Sequence, residues 1–137
     1  MRRDVRFRGK RIDNDEWVYG YLVDSGKEND EILWIAKNRY DFGSVFDEYS
    51  CDDTFIWRRV EPHSVGQYTG LKDKNGVEIY DGDIVKLHKL DVPKVVKWNN
   101  RQGKYCLYDD GYPVESFNQD YVKETTVVGN IYDNKGE

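Results

Sequence analysis

Cysteine, histidine and long apolar runs are the scarce ingredients of this 137-residue chain. Its two cysteines, Cys51 and Cys106, sit in no Cys-x-x-Cys spacing, and its two histidines, His63 and His88, are twenty-five positions apart. Zinc ligation asks for several such side chains at short separations, so no metal site is expected from them. With no apolar leader after Met1, and no apolar run near the ~18 residues that read as a membrane span, neither export nor insertion is expected. The default is a cytoplasmic protein with reduced thiols; a Cys51–Cys106 bond stays open as the alternative. A glycine-rich phosphate loop is missing too, since Thr69-Gly70-Leu71 has too few glycines and no helix expected after it.

Aromatic side chains, by contrast, are abundant: eleven Tyr, four Trp and five Phe. Each large ring can bury roughly 150–250 Å², on the order of 4–6 kcal/mol as an upper bound at about 25 cal/mol per Å². A chain of this length therefore builds a core without disulfide staples. Its interior is nevertheless too small for every ring, and aromatics left at the surface favour contact with a partner. The net charge of −5 is unevenly spread. The first eleven residues carry six basic groups (Arg2, Arg3, Arg6, Arg8, Lys10, Arg11) against one acid, Asp4, which makes them +5 and leaves the remainder at −10. Such a body opposes phosphate backbones and anionic lipid, and the basic start suits a polyanion or the protein's own acidic surface.

The stretch Val65 to Val85 sets the architecture. Asn75-Gly76 and Asp81-Gly82 reach positive φ cheaply, so the chain should reverse on either side of Glu78-Ile79-Tyr80. That middle segment is too short for more than a rung or two, which suits the corner of a small barrel. Ile84-Val85 then opens an alternating strand expected to continue through Lys86, Leu87, His88 and Lys89 to Leu90. Upstream, Val5 and Phe7 alternate with Arg6 and Arg8, Gly9-Lys10 reads as a turn, Asp13-Asn14-Asp15 as another, and Trp17 to Val23 as a strand: a β-meander. Ile32 to Ala36 fits a helix or a strand, and its Trp and Ile favour the strand. Asn38 to Asp53 has weak periodicity and reads as a long excursion. Phe55-Ile56-Trp57 and Val60 resume strand character until Pro62 ends it. Further strands are expected at Val95–Trp98, Tyr105–Tyr108 and Val127–Tyr132, with turns at Asn99–Lys104 and Asp109–Gly111. A helical turn capped by Ser116 is expected over Ser116–Tyr121. Gly20, Gly66 and Gly129 each interrupt a good strand, the mark of a bulge or a close backbone approach. The expected fold is mainly β, α+β at most: a small barrel around residues 65–132 with the N-terminal meander packed on it. Residues 1–60 and 61–137 form two regions or one intertwined domain.

No residue announces a reaction. Asp73-Lys74-Asn75-Gly76 resembles the middle of a calcium loop, but Leu71 occupies the preceding ligand position and no helices flank it. Glu78, Asp81 and Asp83 suggest a carboxylate pair; aspartates accepting backbone amides within turns are the stronger reading. Neither cysteine has the helix start or basic surroundings that activate a thiol. His88 reads as an ordinary strand histidine and His63 as a loop histidine. No catalytic residue, metal or cofactor is therefore expected. The candidate binding residues are Lys86, Lys89, Lys97, Trp98 and Tyr105, lysines interleaved with rings that can stack on bases, although exposed strand lysines also keep sheet edges apart.

Phe7-Arg8-Gly9-Lys10, Trp17-Val18-Tyr19-Gly20, the central run from Val65 through Gly76 with Ile79-Tyr80 and Gly82-Asp83-Ile84-Val85, and the closing Val128 to Asn134 resemble the YopX family of phage and prophage proteins. The positions that carry the motif are Gly66, Gln67, Tyr68, Gly70, Asn75, Gly76, Tyr80, Gly82, Asp83, Gly129 and Asn130. The resemblance implies an SH3-like barrel component, a phage or prophage origin and residence in the bacterial cytoplasm. It supplies no activity and no catalytic residue. The function expected is a non-enzymatic, self-associating, protein-binding β module that contacts a phage or host protein; a single-stranded nucleic-acid binder is the alternative, and a metal-dependent enzyme comes third.

Overall fold

The computed structural model describes residues 5–24, 33–36 and 57–133. The excursion Asn38–Asp53, the pairing of Cys51 and the tail past Asp133 lie outside the described residues. The chain divides into two compact units, one from Asp4 to Gln67 and the other from Tyr68 onward.

The N-terminal unit contains β1 (Phe7–Lys10), β2 (Trp17–Asp24), β3 (Leu33–Ala36), β4 (Trp57–Val60), a 3-10 turn (Pro62–Ser64) and the start of β5 (Gly66–Lys72). The C-terminal unit holds the rest of β5, then β6 (Glu78–Tyr80), β7 (Asp83–Lys86), β8 (Lys94–Asn99), β9 (Lys104–Asp109), β10 (Tyr112–Ser116), α1 (Gln119–Val122) and β11 (Thr126–Asn130). All named ladders are antiparallel, in two sheets ordered β4-β3-β2-β1-β5-β6 and β10-β9-β8-β7-β11. The protein is mainly β, as the alternation and turn signals predict.

In the N-terminal unit the strand expected at Ile32–Ala36 forms as β3, but Gly9-Lys10 does not turn. Gly9 lies within β1 opposite Val18. A Cβ there would stand 2.9 Å from Val60 Cβ, so the glycine serves close packing. Gly20 is tighter still, with the Ala36 carbonyl oxygen 2.0 Å from where its Cβ would be. Beyond β1 the chain meets the end of β4 through a single bridge, Arg11 to Val60, flanked by Ile12 N–H to Arg59 O at 3.1 Å and Glu61 N–H to Lys10 O at 2.8 Å.

In the C-terminal unit Ile79, Val85, Val96, Tyr105, Leu107 and Val122 form the core, with Leu71, Phe117, Tyr121 and Val127 packed on it. The sheet stays open, which corrects the expectation of a closed barrel. Its terminal strands, β10 and β11, do not pair. β10 ends the sheet with Pro113, which has no N–H, and a register shift between Pro113 and Glu115; both features blunt an edge. On β11, Val127 N–H donates to Asp73 Oδ2 at 2.9 Å and Thr125 O accepts Lys74 N–H at 3.0 Å, so that flank is already engaged.

Three local expectations are also corrected. β7 stops at Lys86 rather than running to Leu90, because the Asp91 carboxylate accepts Leu87 N–H at 2.8 Å and His88 Nδ1 accepts Leu90 N–H at 3.2 Å, folding the segment into a turn. The helical turn is capped by Asn118, whose Oδ1 accepts Tyr121 N–H at 3.0 Å, and not by Ser116, which belongs to β10. β11 ends at Asn130 rather than Tyr132, because Asn130 Oδ1 accepts the N–H groups of Tyr132 (2.9 Å) and Asp133 (2.8 Å) and closes a turn.

Candidate functional site

The motif residues prove to be the scaffold. Gly66 and Gln67 pair with Arg8 and Phe7. The rings of Tyr68 and Tyr80 lie 5.4 Å apart, and Gly70, at φ +88°, occupies the register shift of β5. Asp73, 5 % exposed, accepts Asn75 N–H (2.8 Å) and Val77 N–H (2.9 Å) on Oδ1 while its other oxygen holds Val127 N–H. Gly76, at φ +79°, completes that turn. Buried Asp83 accepts Tyr80 N–H at 2.8 Å. Gly82 N–H donates to Val96 O at 2.7 Å, its carbonyl accepts Ile131 N–H at 3.0 Å, and a Cβ would meet the Tyr132 ring at 2.9 Å. Gly129 follows the register shift of β11, and Asn130 also donates to Asp133 Oδ2 at 2.8 Å. Asp73 and Asp83 are thus buried carboxylates that accept backbone amides and hold turns.

The chemistry on offer lies elsewhere, on the outer face of the five-stranded sheet. Val85, Val96 and Leu107 point into the core, so Ile84, Lys86, Val95, Lys97 and Tyr108 have the opposite parity. Two clefts open there. One, of about 420 Å³, is lined by Val95, Tyr108 and Ile131 together with Lys97, Trp98, Asp110 and Gly111. Trp98 is 45 % exposed, and Tyr105 meets it edge-on with centroids 5.1 Å apart. Phe117 meets Tyr105 at 6.0 Å in turn, so the indole stands on a packed aromatic ladder. Asp110 (φ 52°) and Gly111 (φ 82°) make the two-residue hairpin between β9 and β10. The side chains of Lys97 and Asp110 have no ion-pair partner among the described residues.

The other cleft, of about 340 Å³, is lined by Lys74, Lys86, His88, Lys89, Thr126 and Val128. Thr126 faces Lys86 across the ladder. Lys94 provides a contrast: it is paired with Asp91 at 3.2 Å. The Asp91 carboxyl is held below its ordinary range, first by the Leu87 N–H and then by the Lys94 ammonium.

The five residues singled out in sequence are therefore divided. Lys86 and Lys89 line one cleft, Lys97 and Trp98 line the other, and Tyr105 is 8 % exposed and supports Trp98 from the core. Lys74 and His88 were missed. Lys74 looked like a turn residue, and only its N–H bond to Thr125, far along the chain, signals where it goes. The basic N-terminal start is largely engaged at home. Arg8 is buried 4.6 Å over the Trp17 ring, Lys10 lies 5.5 Å from the same ring, and Arg11 pairs with Asp13 at 2.6 Å. Among the described residues no three His, Cys, Asp or Glu side chains group to hold a metal ion, and no helix is long and apolar enough to cross a membrane.

A solved structure, that of protein EF1440 from Enterococcus faecalis, superposes with a TM-score of 0.56 at 23 % identity, over 96 % of this chain and 95 % of that one; at that identity the likeness speaks for the fold alone. No curated protein matches the chain. The family model described as YopX protein matches residues 6–136, which spans both units and every motif position above, and the chain belongs to the YopX family.

Proposed function

We propose that this chain is a non-enzymatic binding module of a phage or prophage, which self-associates through the Trp98 cleft of its C-terminal unit. The observation that carries the reading is an apolar cleft lined by Val95, Tyr108 and Ile131, with Trp98 at its border, that also carries Lys97 and Asp110, neither of which has an ion-pair partner among the described residues. A two-fold contact is self-complementary, so Lys97 of one copy meets Asp110 of the other and the reverse, while Val95, Tyr108 and Ile131 supply the apolar area. Of the basic first eleven residues, Arg8, Lys10 and Arg11 have partners within their own unit, so the reading rests on the cleft rather than on that charge contrast. A single-stranded polyanion fits this cleft less well, since Asp110 offsets Lys97.

Sedimentation over a concentration series tests the reading. Wild type should pass from monomer to dimer, whereas Lys97→Glu and Asp110→Lys should each stay monomeric with unchanged circular dichroism. An equimolar mixture of the two variants should dimerise again. A wild-type monomer at every concentration, or a mixture that stays monomeric, would overturn the proposal.

A further inference from the structure

We infer that the cleft formed by Lys74, Lys86, His88 and Lys89 binds a small phosphate-bearing ligand, of the size of a diphosphate or one nucleotide. This does not depend on self-association, because different residues line the two clefts.

The first argument is the composition of the lining. In a chain of net charge −5 this cleft gathers three lysines, an imidazole and a hydroxyl, with no carboxylate among the described residues that line it. None of Lys74, Lys86 and Lys89 has an ion-pair partner among the described residues. Protein surfaces normally intersperse the two signs, and grouped ammonium ions repel one another until an anion joins them. The acids nearest in sequence do not relieve this. Asp73 has both oxygens on backbone N–H groups, and Asp91 serves Leu87 N–H and Lys94.

The second argument is that the cleft is assembled by fixed backbone contacts rather than by loose surface chains. The Lys74 N–H bond to Thr125 O seats the β5–β6 turn against β11, and the Asp73–Val127 bond locks it there. Lys86 is held opposite Thr126 in the ladder. Asp91 folds the segment carrying His88 and Lys89, with Asp91 N–H donating to His88 O at 3.0 Å. His88 adds a specific donor. Its Nδ1 accepts Leu90 N–H, so the proton of the neutral ring sits on Nε2. An all-donor set suits an oxyanion rich in acceptor oxygens, and Val128 gives an apolar wall for a sugar or base edge. The volume is at the low end of small-ligand sites, roughly 300–1,000 Å³, and has no room for an extended strand.

Titration of the full chain with inorganic pyrophosphate, followed by amide chemical shifts, tests the inference, with sulfate, thymidine diphosphate and oligo-dT as comparators. Saturable shifts are expected at Lys74–Asn75, Lys86–Lys89 and Thr126–Val128, with the diphosphates binding more tightly than sulfate. Lys86→Met with Lys89→Met should weaken binding on the order of tenfold or more, while Arg101→Met, at a position that lines neither cleft, leaves it unchanged. Shifts spread over lysines generally, equal affinity for sulfate and pyrophosphate, or affinity that appears only with oligo-dT and grows with its length would each overturn it. The wild-type titration decides the matter even if the double variant fails to fold.

Discussion

The two units use the same kinds of side chain in opposite ways. In the N-terminal unit three described cations are engaged: Arg8 and Lys10 on the Trp17 ring, Arg11 with Asp13. Its strands come close through glycine, at Gly9 against Val60 and Gly20 against Ala36. In the C-terminal unit the polar side chains that hold the fold are acids and an amide, Asp73, Asp83 and Asn130, bonded to backbone N–H groups. Among the described residues, Lys74, Lys86, Lys89 and Lys97 have no carboxylate partner. Charge that is matched locally stabilises and stops there; charge that is held rigidly and left unmatched is available to something else. Both surfaces proposed for binding therefore lie on the C-terminal unit.

The largest expected effect comes from breaking the hub. Asp73→Ala strips three backbone donors of their acceptor and should lower stability by about 3–5 kcal/mol in chemical denaturation, with Asp73→Asn roughly halving that loss. Gly20→Ala should follow at about 3 kcal/mol, because a methyl cannot coexist with the Ala36 carbonyl and β2 must part from β3. Gly70→Ala sharpens the contrast: nothing lies near its absent Cβ, so only the strain of φ +88° remains, about 1 kcal/mol. Asp91→Asn should have the smallest effect, visible mainly as a change of slope. The Asp91 pKa is lowered on folding, so its contribution is present above the ordinary carboxylate range near pH ~4 and is lost as pH falls through its lower folded value. Melting temperatures between pH 2 and 6 should flatten in the variant. An unchanged slope would show that Leu87 N–H and Lys94 do not stabilise the ionised form.

What could be read in the sequence follows from where the forces are local. Asn75-Gly76 and Asp110-Gly111 announced their turns because positive φ is a property of the residues themselves. β10 was invisible because all five of its residues are exposed and no apolar alternation marks it. Leu87 to Leu90 alternates as a strand should, and the Asp91 side chain, competing for the Leu87 N–H, overrides the pattern. Lys86 and Lys89 could be chosen from sequence as part of a basic face. That Lys74 and His88 join them could not, because both are delivered by hydrogen bonds that only the folded chain makes.

Proline at position 113 has a further consequence. A chain this rich in rings is at risk of recruiting copy after copy into a fibril, and a terminal rung that cannot donate, next to an irregular step, refuses the incoming strand. Sticky surface is tolerable in a crowded cell when growth has nowhere to continue.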